Sequence, residues 1–76
     1  MQLDILTPDK VLYSGEVTGV KLPGAKGSFE ILNNHAPIVS KLNAGSIRVR
    51  SKEGDQSFEI KGGVVELINN KITVLA

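Results

Sequence analysis

Apolar and polar residues alternate with a period of two along most of the chain. Leu3 and Ile5 flank Asp4, Val20 and Leu22 flank Lys21, and Phe29 and Ile31 flank Glu30. Further on, Ile47 and Val49 alternate with Arg48 and Arg50, and Phe58 and Ile60 with Glu59 and Lys61. Val65 and Leu67 enclose Glu66, and Ile72 and Val74 enclose Thr73. Alternation of this kind sends one set of side chains to a core and the other to water, the mark of a half-buried β-strand. A period of 3.6 is not sustained over ten residues anywhere, and glycines interrupt every candidate helical window.

Turn-forming residues separate these runs: Thr7-Pro8-Asp9, Ser14-Gly15, Pro23-Gly24, Asn33-Asn34, Asn43-Ala44-Gly45, Glu53-Gly54-Asp55, Gly62-Gly63 and Asn69-Asn70. Short strands punctuated this often predict an all-β fold, a sandwich or a barrel of mostly antiparallel strands. Asn69-Asn70 predicts a two-residue type I′ hairpin, because both central positions need φ > 0 and Asn tolerates it. Gly54-Asp55 predicts a hairpin with a longer loop. Two double-Asn turns recur about thirty-six residues apart, a recurrence that common hairpin chemistry accounts for.

The stretch Pro23 to Pro37 is the densest in special backbone positions. Gly24 and Gly27 predict a tight reversal into Ser28–Leu32, Asn33-Asn34 predicts a second turn, and Pro37 holds Ala36 extended. It also contains His35, the chain's only histidine.

Length and composition narrow the function classes. Seventy-six residues are expected to form one domain, residues 1–76. A domain of this size buries only about 60% of its unfolded surface, so a partner would add much to its stability. With no cysteine, neither a disulfide framework nor a thiolate metal site is available. A net charge of +1 with both signs scattered leaves no electrostatic footprint for nucleic acid or anionic lipid. No apolar run approaches the ~20 residues of a membrane helix, and the opening MQLDILTPDK lacks the basic and apolar regions of a signal peptide.

The sequence offers no evident reaction centre. One histidine cannot make a multi-imidazole metal site, and no metal or cofactor is expected. A nucleophile–His–acid set would have to be assembled around His35 from Ser28, Ser40 and Glu30, and nothing in the sequence fixes their geometry. A turn or interface role for His35 is the stronger reading. Gly24-Ala25-Lys26-Gly27-Ser28 lacks the Gly-Lys-Ser/Thr ending of a phosphate loop and no helix follows it. Arg48 and Arg50 share one strand face, either as an acidic-partner patch or as an ordinary solvated face. Phe29 and Phe58 sit on the apolar side of their alternations, which argues against a small barrel that stacks nucleic-acid bases, the main alternative. Leu32, Ala36, Val39, Val64, Ile68 and Leu75 fall off the alternation. They form either a second apolar surface for another subunit or the product of bulges and register changes.

Several motifs resemble one family. Gly27 to Pro37, GSFEILNNHAP, is similar to the strand and "GHAP"-type turn of the epsilon subunit of F-type ATP synthases, called delta in mitochondria. Gly45-Ser46-Ile47-Arg48 resembles its G-x-I-R run, FEIKGGVVEL its double-glycine segment, and KITVLA its closing strand. The opening LDILTP and YSGEV fit as well, so the resemblance covers essentially the whole chain. It implies a flattened β-sandwich in the central stalk, non-catalytic and without cofactor. Such a rotor subunit links the gamma subunit to the c-ring and helps couple proton or sodium movement to ATP synthesis. By residue, it implies c-ring-facing loops at Lys26, Gly27, Ser28, His35 and Ala36, and a gamma-facing surface including Val39, Lys41, Arg48 and Arg50. Ser28 stands where some relatives carry an acid, and Asn34 where many carry glycine. Family members commonly continue into a C-terminal helical hairpin. None is expected in this chain, so its role is expected to be coupling and assembly. The resemblance also implies a peripheral position on the cytoplasmic face of the bacterial plasma membrane, with the plastid thylakoid as the second choice, held there through the complex without direct insertion and without contact to nucleic acid.

Overall fold

A computed structural model describes all residues from Met1 to Ala76. It contains nine strands and no helix: β1 Gln2–Leu6, β2 Val11–Glu16, β3 Gly19–Leu22, β4 Phe29–Leu32, β5 Ile38–Leu42, β6 Gly45–Ser51, β7 Gly54–Ile60, β8 Gly63–Ile68 and β9 Lys71–Leu75. They form two sheets, one in the order β2-β1-β9-β8-β5 and the other in the order β4-β3-β6-β7. The two inner faces pack into a sandwich. Leu3, Ile5, Leu42, Val65, Leu67, Ile72 and Val74 from the first sheet join Val20, Leu22, Ile31, Ile47, Val49 and Ile60 from the second, with Met1 and Val17, in one buried cluster. All but Leu42, Met1 and Val17 are apolar members of the sequence alternations, so the pleat itself selects most of the core. Phe29 and Phe58 pack against this cluster only partly buried.

The pairing is antiparallel throughout except for β1 and β9, which run parallel from Gln2↔Lys71 to Leu6↔Leu75. The alternation could not disclose that pair, since a period of two is the same in either direction. At one side of the sandwich β2 meets β7 through the Tyr13 and Phe58 rings, whose centroids are 5.6 Å apart and whose planes are tilted by 60°. At the other side the Ala25 N–H donates to the Lys41 carbonyl at 3.0 Å and the Asn43 N–H to the Pro23 carbonyl at 2.7 Å. These bonds tie the end of β3 to β5 across the two sheets.

The turns follow their residues, with two differences. Asn69 and Asn70 have φ of 50° and 60°, as a type I′ turn requires, and Asn34 has φ of 63°. Ser14-Gly15 is not a turn but lies inside β2. Gly15 faces Leu3 and leaves room for the Tyr13 ring, so a Cβ there would lie 3.3 Å from the tyrosine oxygen. Glycine serves space at this position. The β6–β7 connection is also tighter than expected: Ser51 pairs with Gly54, leaving only Lys52-Glu53 in the loop and Asp55 in the strand. Gly54 supplies the positive φ of 115° that lets so short a loop close.

The two double-Asn turns touch. The Asn34 N–H donates to Asn70 Oδ1 at 3.3 Å, and Asn70 Nδ2 donates to Asn33 Oδ1 at 3.4 Å. Asn33 Oδ1 also accepts from the Met1 α-ammonium at 3.3 Å, which in addition meets Glu16 Oε2 at 3.1 Å. The recurrence in the sequence is thus one structural joint, pinning the β4–β5 crossing to the β8–β9 hairpin.

Candidate functional site

Because the inner faces fill the core, any site must lie on the outer faces, the edges or the loops. The outer face of the five-stranded sheet carries an apolar row running straight across the strands. Val64 pairs with Leu75, Leu75 with Leu6, and Leu6 with Val11. On β5, Lys41 ends the row opposite Val64, and Val39 lies two residues away on the same face. Val11, Val39, Val64, Ile68 and Leu75 are exposed, with Leu75 at 57% and Val39 at 72%. Of the residues that fell off the sequence alternation, Val39, Val64, Ile68 and Leu75 therefore lie on this outer surface in regular register, not at bulges. Leu32 is exposed on the other sheet, and Ala36 lies in the β4–β5 crossing. The one register shift near the row falls between Ile5 and Leu6. It is what brings Val11, on the same parity as the inward Tyr13, onto this face, whereas Leu6 reaches it by plain alternation after Ile5.

Beside the apolar row lies a polar one. Asp4 Oδ1 accepts from the Ser14 hydroxyl at 2.7 Å and from Gln2 Nε2 at 3.0 Å, and Lys71 Nζ lies 3.9 Å from Asp4 Oδ2. The Ser14 and Gln2 hydrogen bonds, helped by the Lys71 charge, lower the Asp4 pKa against a smaller opposing effect of desolvation. A carboxylate depressed in the folded state adds stability above its unfolded pKa and loses it as pH falls through the folded value. Asp4→Asn is therefore expected to cost about 1 kcal/mol at pH 7. The gap to the wild type should close on acidification below about pH 4, as followed by urea melts across the acid range. A gap independent of pH would contradict this account.

The outer face of the four-stranded sheet is charged. Lys21, Arg48 and Arg50 surround a shallow dish together with Glu30 and Asp55. Arg50 Nη2 reaches Glu30 Oε2 at 3.4 Å across Gly19, which pairs with both Leu32 and Arg50 and has no side chain to block the contact. The Ser46 hydroxyl donates to the Glu59 carboxylate on the neighbouring strand.

The structure distributes the sequence-selected residues over three places. Lys26, Gly27 and Ser28 form an exposed loop against β5, and a groove there is lined by Gly24 to Phe29 together with Val39, Ser40 and Lys41. His35 and Ala36 lie at the opposite end of β4, about 13 Å of strand away by its four residues. Arg48 and Arg50 point from the far outer face, so Val39 and Lys41 do not share a surface with them. The His35 ring bonds only its own chain neighbour: Nδ1 lies 2.7 Å from the Ala36 carbonyl, while the His35 N–H closes the turn onto Leu32 at 3.3 Å. Ser28 and Ser40 make no bond to it. No group of three or more His, Cys, Asp or Glu residues is placed to hold a metal. Tyr13, Phe29 and Phe58 turn toward the core, leaving no exposed aromatic platform for bases. No helix is long and apolar enough to cross a membrane.

One outer face with an apolar row and one charged outer face, around a side-chain core, define a small nine-stranded β-sandwich. Comparison with known proteins gives that class its family. The model of the ATP synthase Delta/Epsilon chain β-sandwich domain matches residues 1–76. The ATP synthase epsilon chain of Chlorobium limicola is 44% identical over 75 residues, covering 97% of this chain and 85% of the relative. That of Leptospira interrogans is 39% identical, covering 99% and 59%. The chloroplastic epsilon chain of Tetradesmus obliquus is 40% identical over 76 residues, covering 100% and 56%. The chain belongs to the delta/epsilon family of ATP synthases, and it spans little more than half the length of the last two relatives. The fold agrees with a chain in the Euglena gracilis mitochondrial ATP synthase (TM-score 0.89, 18% identity, 97% of this chain and 48% of that one). It agrees also with one in the central stalk and c-ring structure from Tetrahymena thermophila (TM-score 0.82, 18% identity, 97% and 60%).

Proposed function

We propose that residues 1–76 act as one unit, a non-catalytic rotor subunit of an F-type ATP synthase that links the gamma subunit to the c-ring and helps couple ion movement to ATP synthesis. The apolar row Val11–Leu6–Leu75–Val64 carries this reading. A contiguous exposed apolar row across four strands of so small a sandwich is a surface for another protein. Family membership, with relatives named ATP synthase epsilon chains, supports the identity of that protein. The subunit sits at the cytoplasmic face of the membrane, held by its partners.

In this reading Lys26, Gly27 and Ser28 and, at the other end of β4, His35 and Ala36 face the ring, and Val39 and Lys41 lie toward gamma, so the groove between Lys26 and Lys41 is where both partners come within reach. Arg48 and Arg50 face away from that row and reach gamma only if it wraps the sandwich. Rigidity suits the task. A fully packed core with both sides closed passes torque without internal give, and the interface needs area more than any one charge. Affinity capture of the tagged chain from its native membrane in mild detergent at low salt is expected to recover gamma and the c-ring. Recovery of neither would sink the proposal.

A further inference from the structure

We propose that the groove between the β3–β4 loop and β5 receives an acidic turn of a partner polypeptide, with a carboxylate between Lys26 and Lys41 and an apolar side chain on Val39. The inference rests on the docking reading above and adds the chemistry of the occupant.

Three observations carry it. The groove is held open by its own backbone. The Ala25 N–H bond to the Lys41 carbonyl sets the two lysine-bearing segments side by side. A Cβ on Gly24 would lie 2.6 Å from the Gly27 carbonyl and 2.7 Å from the Phe29 ring, so the loop is wrapped on itself as closely as glycine allows and its shape beside β5 is fixed from within. The groove is also electrically uncompensated. No Asp or Glu lines it, and the ion pairs of the molecule, Met1–Glu16, Arg50–Glu30 and Lys71–Asp4, all lie elsewhere. The other cation group, Lys21 with Arg48 and Arg50, is interleaved with Glu30 and Asp55 and largely satisfies itself. Only here do two lysines share a concave surface with no carboxylate. Lastly, Val39 at the lip is the most exposed of the large apolar side chains, and the Ser28 hydroxyl makes no hydrogen bond within the chain.

A phosphate chain would meet the lysines and leave Val39 in water. A turn carrying an acid beside an apolar residue meets all three features. Such a contact steers encounter through its charge and fixes register through the apolar anchor, so it contributes to selecting the correct partner surface.

The test uses ATP synthase stripped of its own subunit of this family, rebound by the wild type, by K26E/K41E, by Val39→Ser and by a control, K52E/K61E, whose lysines are exposed outside the groove. All substituted positions are on the surface, and melts confirm folding. The wild type is expected to bind more weakly as salt rises. K26E/K41E should bind roughly 10- to 100-fold more weakly at low salt, with that salt dependence lost. Val39→Ser should weaken binding several-fold with the salt dependence kept, and the control should match the wild type. If K26E/K41E binds like the wild type, the groove inference fails while the docking reading stands. If the wild type itself does not rebind, the docking reading fails and takes the groove with it. A single-stranded RNA titration guards the class of partner. Salt-sensitive RNA binding by the wild type that is lost in K26E/K41E and untouched by Val39→Ser would overturn the polypeptide assignment.

Discussion

Replacing Gly63 by Ala is expected to lower the melting temperature by roughly 15 °C or more. Gly63 opens β8 with φ of 144°, a conformation side-chain-bearing residues rarely adopt. A Cβ there would also overlap the Leu75 carbonyl oxygen and come within 3.0 Å of the Ala76 Cα, both of them backbone with nowhere to go. Strain at such a φ alone costs about 1–3 kcal/mol. With the overlap the total should exceed about 3 kcal/mol, out of the ~5–15 kcal/mol that holds a typical domain. That corresponds to a fall in Tm of roughly 15 °C or more. Gly27 makes the comparison informative. Its φ of 125° is similarly strained for other residues, but nothing lies within 4 Å of the added carbon. Gly27→Ala should therefore cost only the backbone strain. Equal losses for the two variants in a thermal melt would show that the contact with Leu75 does not matter.

The second large effect should leave the fold alone. Val64→Asp combined with Leu75→Asp puts two charges into the apolar row, at paired positions already exposed. The double variant should keep its Tm within a few degrees, apart from the cost of like charges on paired residues. Its affinity for the gamma subunit should fall roughly 30-fold or more, as expected when the centre of an interface is disrupted. Ser57→Asp, on the charged outer face, should bind as the wild type does. A double variant that still assembles normally would move the docking surface off this sheet.

The fold was legible to the extent that it is a consequence of alternation. Leu3, Ile5, Val20, Leu22, Ile31, Ile47, Val49, Val65, Leu67, Ile72 and Val74 all point inward because the pleat sends every second residue one way. Asn69-Asn70 was legible because few residues accept positive φ twice in succession. What sequence could not supply was the arrangement of strands in space. The parallel partnership of first and last strand depends on topology, as does the crossing that separates Arg48 and Arg50 from Val39 and Lys41. Gly15 was misleading for a local reason. A glycine in a strand and a glycine in a turn look alike until the Tyr13 ring lying over it is seen. The docking surface was half visible. Val39, Val64, Ile68 and Leu75 were marked by being apolar on the wrong parity, as Leu6 is beside Ile5, while Val11 joins them only through a register shift. The joint between Asn33-Asn34 and Asn70 was present as a repeated dipeptide, and only the folded chain gives the repetition a meaning.

The parallel pairing of β1 with β9 has a mechanical corollary. A tension applied between Met1 and Ala76 pulls β1 from its leading end and β9 from its trailing end, along the strands and in opposite directions. The ladder from Gln2↔Lys71 to Leu6↔Leu75 is then loaded in shear, and its hydrogen bonds must give way together instead of opening one by one like a zip. A hairpin joining the same two ends would peel. Pulled by its ends, this sandwich should behave as a stiff link up to a threshold force and then yield abruptly, a response set by the rate of unfolding more than by equilibrium stability.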